Sequence, residues 1–159
     1  MKAKRILSVL GVVIVAVLAT LYINLENDER DISERKVAGA TFKLLDIEGV
    51  RVRAEIASTS DKMSLGLGGR EVLEEGKGMW FVFPEEGMHG IWMKAMKISI
   101  DIVWFDKNMK IVAIKEDVSP ESYPEIFFPS SKSLFVLELP SGFVKKHQIN
   151  IGALGKFIF

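Results

Sequence analysis

The chain contains no cysteine, which removes disulfides, thiolate nucleophiles and cysteine-ligated zinc together. Gly-x-Ser-x-Gly, His-Glu-x-x-His and Asn-x-Ser/Thr sequences are also missing, so the usual hydrolase, zincin and N-glycosylation signals are absent. Gly66-Leu67-Gly68-Gly69 lacks the lysine-serine pair of a phosphate loop and the strand-glycine-helix setting of a dinucleotide fingerprint. It reads as a turn needing positive φ. Clustered positive charge is missing as well. The formal net charge is zero, and from Glu26 onward 18 basic residues face 21 acidic ones. Nucleic-acid binding depends on basic clusters that neutralise phosphates, and that class is set aside.

What is present begins with a charge-free run, Ile6 to Leu25. At about 1.5 Å per residue, its roughly 20 residues would cross a hydrocarbon core of about 30 Å. Lys2, Lys4 and Arg5 precede it, and Glu26, Asp28 and Glu29 follow. The positive-inside rule then puts the N-terminus in the cytoplasm and the rest beyond the cell membrane, as a single-pass protein. A cleaved signal peptide is the alternative, but Val17-Leu18-Ala19 is a poor small-x-small site. Residues 1–25 are thus read as an anchor or signal, 26–40 as a charged linker and 41–159 as a globular β domain.

From Thr41 the hydrophobic period is two. Val50, Val52, Ala54 and Ile56 alternate with Arg51, Arg53 and Glu55 after an Asp46 to Gly49 turn, which predicts a half-buried antiparallel hairpin. Ser58 to Asp61 offers N-caps for a short helix through about Leu65. Further strands are expected at Met79 to Phe83, ended by Pro84, then at His89 to Lys94, Ile98 to Asp106, Lys110 to Lys115, Leu134 to Leu139 and Lys156 to Phe159. Asp117 to Ser133, punctuated by three prolines, is a loop long enough to be functional or packed across a face. Seven or eight short strands with minor helix predict a mainly β domain, a compact antiparallel sheet or small barrel.

Charge embedded among apolar residues marks the candidate site. All three tryptophans fall between Met79 and Asp106, where Lys94 and Asp101 stand alone among hydrophobic neighbours. Glu138 lies between Leu137 and Leu139, and Arg70 follows the glycine turn. Ions in such surroundings are paired, hydrogen-bonded or at the lip of a pocket. Arg70, His89, Trp92, Lys94, Asp101 and Glu138 are therefore candidate ligand-binding residues, with a register-fixing ion pair of Lys94 with Asp101 or Glu138 as the plain structural alternative. In an enzyme, a carboxylate-assisted hydrolase or transferase at the cell surface, Asp101 and Glu138 would be the acid and base. No known catalytic spacing is met, which favours binding over catalysis. Met88, His89, Met93 and Met96 form an alternative cuprous copper set, since thioethers and imidazole suit that ion; methionine is equally a core filler. No cofactor is otherwise expected.

Several blocks in order resemble a known family, domain of unknown function 192. They are the Glu55 to Ala57 strand end, Gly66-Leu67 with Arg70, Gly78 to Phe83, His89 to Lys94, Ile100 to Val103 leading to Asp106, and Val136 to Gly142. The resemblance implies a compact, mostly β domain, often exported or tethered in prokaryotes, with no established activity. Ala95 stands where an asparagine commonly follows the Trp-Met-Lys block, and Gly68 where a methionine or similar residue follows Gly-Leu. The reading is a membrane-tethered binding or accessory module for a polar small ligand or an envelope partner.

Overall fold

The computed structural model describes residues 41–158; the expected membrane segment and charged linker, residues 1–40, lie outside them. Among the described residues no helix is long and apolar enough to cross a membrane. The chain forms β1 (Phe42–Ile47), β2 (Val50–Ala57), α1 (Ser60–Leu65), β3 (Lys77–Gly87), β4 (Ile91–Trp92), β5 (Ile100–Phe105), β6 (Ile111–Val118), β7 (Ile126–Phe127), β8 (Ser133–Pro140), α2 (Phe143–Lys146) and β9 (Gly155–Ile158). This is a mainly β fold with minor helix.

Seven strands make one curled sheet in the order β6-β5-β8-β3-β2-β1-β9, and β4 pairs with β7 in a separate ribbon. The two hairpins legible from alternation, β1-β2 and β5-β6, are antiparallel as expected. The sheet is not antiparallel throughout, because β2 and β3 run parallel. The reason is α1 and the glycine loop after it, which carry the chain back to the starting end of β2, as a parallel connection requires. Thr59 caps α1, its side chain accepting the Lys62 N–H. Pro84 does not end β3. The β3-β8 register shifts between Val82 and Gly87, and such an irregularity tolerates a residue without an N–H to donate.

The curl brings the sheet's edges together at one end. Lys110 bridges Leu154, Ile111 N–H donates to the Ala153 carbonyl at 2.9 Å, and Gly155 N–H donates to Met109 at 2.9 Å. Inside the curl, Trp80 packs on Phe105, Phe135 and Phe157 with ring centroids 4.9 to 5.4 Å apart. A second apolar cluster covers the opposite face, built from Met79, Phe81, Ile100, Ile102, Trp104 and Val136 under Leu67, Ile91 and Met93. With both faces covered, every residue of β5 is buried. That is why its sequence is apolar at every position but Asp101 rather than alternating.

The long proline-punctuated segment packs across this outer face. Its β7 pairs Ile126 with Trp92 and Phe127 with Ile91. A Cβ on Gly90 would lie 2.5 Å from the Ile126 side chain and 2.6 Å from that of Phe128, so any other residue there would have to displace these two side chains. Of the expected strand His89 to Lys94, only Ile91–Trp92 pairs.

Asp101 is fully buried yet serves the fold. Its Oδ2 accepts the Val144 N–H at 2.9 Å, and its Oδ1 accepts the N–H groups of Asp117 at 2.9 Å and Gly142 at 3.2 Å. Gly142, the N-cap of α2, has no side chain with which to cap it, so a strand residue distant in sequence does so instead. Replacing Asp101 by alanine strands these donors, and each buried unsatisfied group costs about 1–3 kcal/mol. We expect Asp101→Ala to destabilise the full-length protein by about 2–5 kcal/mol in urea unfolding, and Asp101→Asn by less, since one acceptor oxygen remains. An unfolding midpoint for Asp101→Ala equal to that of the wild type would contradict this role.

Candidate functional site

Alternation along β8 sends Leu137 and Leu139 to the inner cluster and Val136 and Glu138 towards the outer face. Register then sets a row across four strands. Glu55 pairs with Met79, Met79 with Glu138, and Glu138 with Ile102, so these side chains share one face. Asp101 pairs with Leu139, one residue away on the neighbouring strand. It therefore points to the opposite face.

Glu138 closes the floor of a cavity of about 110 Å³. Met63, Leu67, Phe81, Phe83, Ile91 and Met96 form apolar walls, and Gly66 lines it beside Glu138. Gly66 ends α1 at φ +52°, and a Cβ built there would sit 3.8 Å from Glu138 Oε2. Trp92 (45% exposed) and exposed Lys94 form the rim. The Lys94 ammonium lies 5.4 Å from the Trp92 ring centre, and Trp92 meets Tyr123 edge-on at 6.1 Å. Gly69 N–H donates to the Ala95 carbonyl at 2.9 Å, which ties the glycine loop to the turn carrying Lys94.

Only 4% of Glu138 is exposed, and its Oε2 has no hydrogen-bond partner. Burial pushes its carboxyl up to about 8, with partial relief from the Arg70 guanidinium. The relief is partial because Arg70 is committed elsewhere. Its Nη2 holds Glu55 Oε2 at 2.5 Å.

The expected residues therefore divide. Trp92, Lys94 and Glu138 line one cavity, and Arg70 stands near enough to act on Glu138 electrostatically. Asp101 and Glu138 do not converge, so the two carboxylates expected as acid and base face different sides of the sheet and cannot share a substrate. Lys94 forms no ion pair with Asp101 or Glu138. A wider groove of about 680 Å³ runs past Asp101, but both Asp101 oxygens already accept backbone N–H groups. His89 does not line the cavity. Its ring stacks on Phe83 at 3.7 Å, its Nε2–H donates to the Glu85 carbonyl at 2.9 Å, and its own carbonyl accepts from Trp104 Nε1.

The methionines of the copper alternative occupy different settings. Met93 is buried in the outer cluster, Met96 lines the cavity and Met88 is half exposed. Among the described residues no group of three or more His, Asp or Glu could hold a metal ion. Ala95 has φ +58°, a region asparagine enters several-fold more readily than most residues. Backbone conformation is thus sufficient reason for an asparagine at this position.

Sequence reasoning missed Glu55, which alternation assigned to a solvent-facing strand position. Only the parallel β2-β3 pairing brings it beside Arg70. Met63 fell in the expected short helix and Phe81 and Phe83 in an expected strand; periodicity does not separate a core wall from a cavity wall, and all three line the cavity.

The chain belongs to the domain of unknown function 192 family, described as an uncharacterised ACR, whose model matches residues 43–156. A crystal structure from Novosphingobium aromaticivorans DSM 12444, a protein of unknown function, is similar at a TM-score of 0.71 and 24% identity over 76% of this chain and 88% of that one. Another, from Sinorhizobium meliloti 1021 and described as a proposed transcription regulator, is similar at 0.69 and 24% identity over 74% and 95%. These likenesses carry the fold alone. Among curated proteins, none matches the sequence.

Glu138 also imposes a pH dependence on stability. Between its ordinary value of 4.5 and about 8, the folded protein keeps a proton that the unfolded chain releases. Stability from this group is therefore present below about 4.5 and is lost as pH rises through that window, by up to about 1.4 kcal/mol per pH unit. Glu138→Gln should flatten this slope in urea unfolding between pH 5 and 8, and equal slopes for the two proteins would refute it.

Proposed function

We propose that the domain is a binding module whose cavity takes a small polar ligand on Glu138, and that residues 6–25 tether it to a membrane with residues 41–159 outside. One observation carries the ligand reading: a buried glutamic acid, one of whose oxygens has no hydrogen-bond partner, lines a cavity whose other side chains are apolar except Ser64 and Lys94. An unmet hydrogen-bonding group in such a place costs stability that a structural role does not require. Pockets of this kind, mostly apolar with a few placed polar groups, are the usual form of small-ligand sites. Trp92 and Lys94 at the rim are placed to orient whatever enters.

A second observation favours a ligand carried on an envelope partner's chain. Trp92, Tyr123, Ile126 and Phe128 are each between 45% and 59% exposed. Trp92 touches Tyr123 and pairs with Ile126 beside the mouth. Apolar groups gathered this way are typical of contact surfaces.

Ligand-observed NMR on the full-length protein, with a panel of neutral, anionic and cationic compounds of about four heavy atoms, tests the cavity. At least one class should bind the wild type and lose affinity in Glu138→Gln; no binding by any class would end the reading. Topology is tested separately, with a reporter fused after residue 159 that is active only outside the cytoplasm. Activity is expected, and a silent but expressed fusion would overturn the tether.

A further inference from the structure

We propose that the Glu138 cavity selects a primary ammonium group on a short aliphatic stem, which deepens the ligand reading above and rests on it. The first ground is a charge count. Two carboxylates, Glu55 and Glu138, share one row of the sheet, and a single guanidinium, Arg70, stands near both. Arg70 is spent on Glu55 at 2.5 Å. When Glu138 ionises the row lacks one cation, and its carboxylate, which no hydrogen bond satisfies at Oε2, lines the cavity where that cation would sit.

Wall chemistry supplies the second ground. Phe81, Phe83 and Trp92 line the space, and aromatic rings favour a cation over a neutral or anionic group. Lys94 is the other cation facing this space. It is exposed and lies over Trp92 at the rim, where solvent screens it from the floor. Size is the third ground. An apolar cavity of about 150 Å³ accommodates benzene, so about 110 Å³ admits roughly four heavy atoms, an ammonium and a propyl stem. Once Glu138 is ionised, a carboxylate ligand is repelled by it and an alcohol leaves the charge of the row unbalanced.

Entry of the ammonium converts Glu138 from its neutral to its ionised form. The O–H bond of the carboxyl breaks, its proton leaves to solvent, and the ammonium keeps all of its own hydrogens while donating to the Glu138 carboxylate. The same group occurs on free alkylamines and on lysine side chains of proteins.

The test is isothermal titration of full-length protein in detergent micelles with propylammonium, 1-propanol, acetate and Nα-acetyl-lysine amide, in buffers of differing ionisation heat. Propylammonium should bind at pH 7 with release of close to one proton, and its affinity should rise at least tenfold between pH 6 and 8. Glu138→Gln should lose about tenfold or more in affinity and release no proton. The wild-type pH dependence needs no variant, so a misfolded substitution would not leave the matter open. Tighter binding of the lysine amide than of propylammonium would identify a protein side chain as the source, and the reverse a free amine. The proposal is overturned if propylammonium does not bind, if 1-propanol binds as well, or if Glu138→Gln behaves as the wild type. Binding of propanol or acetate without the amine defeats this inference alone, whereas silence from all four compounds removes the ligand reading as well.

Discussion

The domain depends on the two-residue period of its central strands, applied to two acids that both sit in apolar sequence. β5 and β8 lie side by side in the interior of the sheet, and their register puts Asp101 opposite Leu139 and Glu138 opposite Ile102. One residue of offset sends the two carboxylates to opposite faces. On one face the acid meets three backbone N–H groups and is spent on architecture. On the other it meets aromatic and aliphatic walls and keeps an unmet oxygen. A carboxylate in the same kind of run thus does structural work in one place and keeps an unpartnered oxygen in the other.

The surroundings of Glu138 are held by short local devices. Gly66 turns the end of α1 with a φ that other residues adopt rarely, and the backbone of Gly69 is bonded to that of Ala95. Gly90 lets Ile126 and Phe128 come close, which seats β7 against β4. Both sides of the rim are therefore fixed by main-chain contacts before any ligand arrives. A site arranged in advance loses little ordering entropy on binding.

Much of this was legible in the sequence, and the remainder failed for identifiable reasons. The hairpins β1-β2 and β5-β6 followed from alternation and turn residues, and α1 from its threonine and serine cap. The parallel pairing of β2 with β3 did not, because nothing local states to which edge a strand returns. Pro84 misled because its missing donor falls where the ladder is already irregular. Charge in apolar company pointed to Lys94 and Glu138, which line one cavity, but it could not tell them from Asp101, whose partners come from Asp117, Gly142 and Val144. His89 looked available by type, and its ring proves to be engaged with Phe83 and the Glu85 carbonyl. The membrane run is a feature of sequence alone, outside the described residues.

The position of β9 has a bearing on how the chain acquires this shape. Residues 155–158 pair with β1, the first strand of the domain, and the residues just before them tie to the start of β6. Contacts this distant along the chain slow the search for the native state, and during synthesis they must wait until residues 155–158 have emerged. A nascent chain lacking its last strand would expose the hydrogen-bonding rim of β1. Until that strand arrives β1 is an uncovered edge, the kind of rim on which a strand from another molecule can pair.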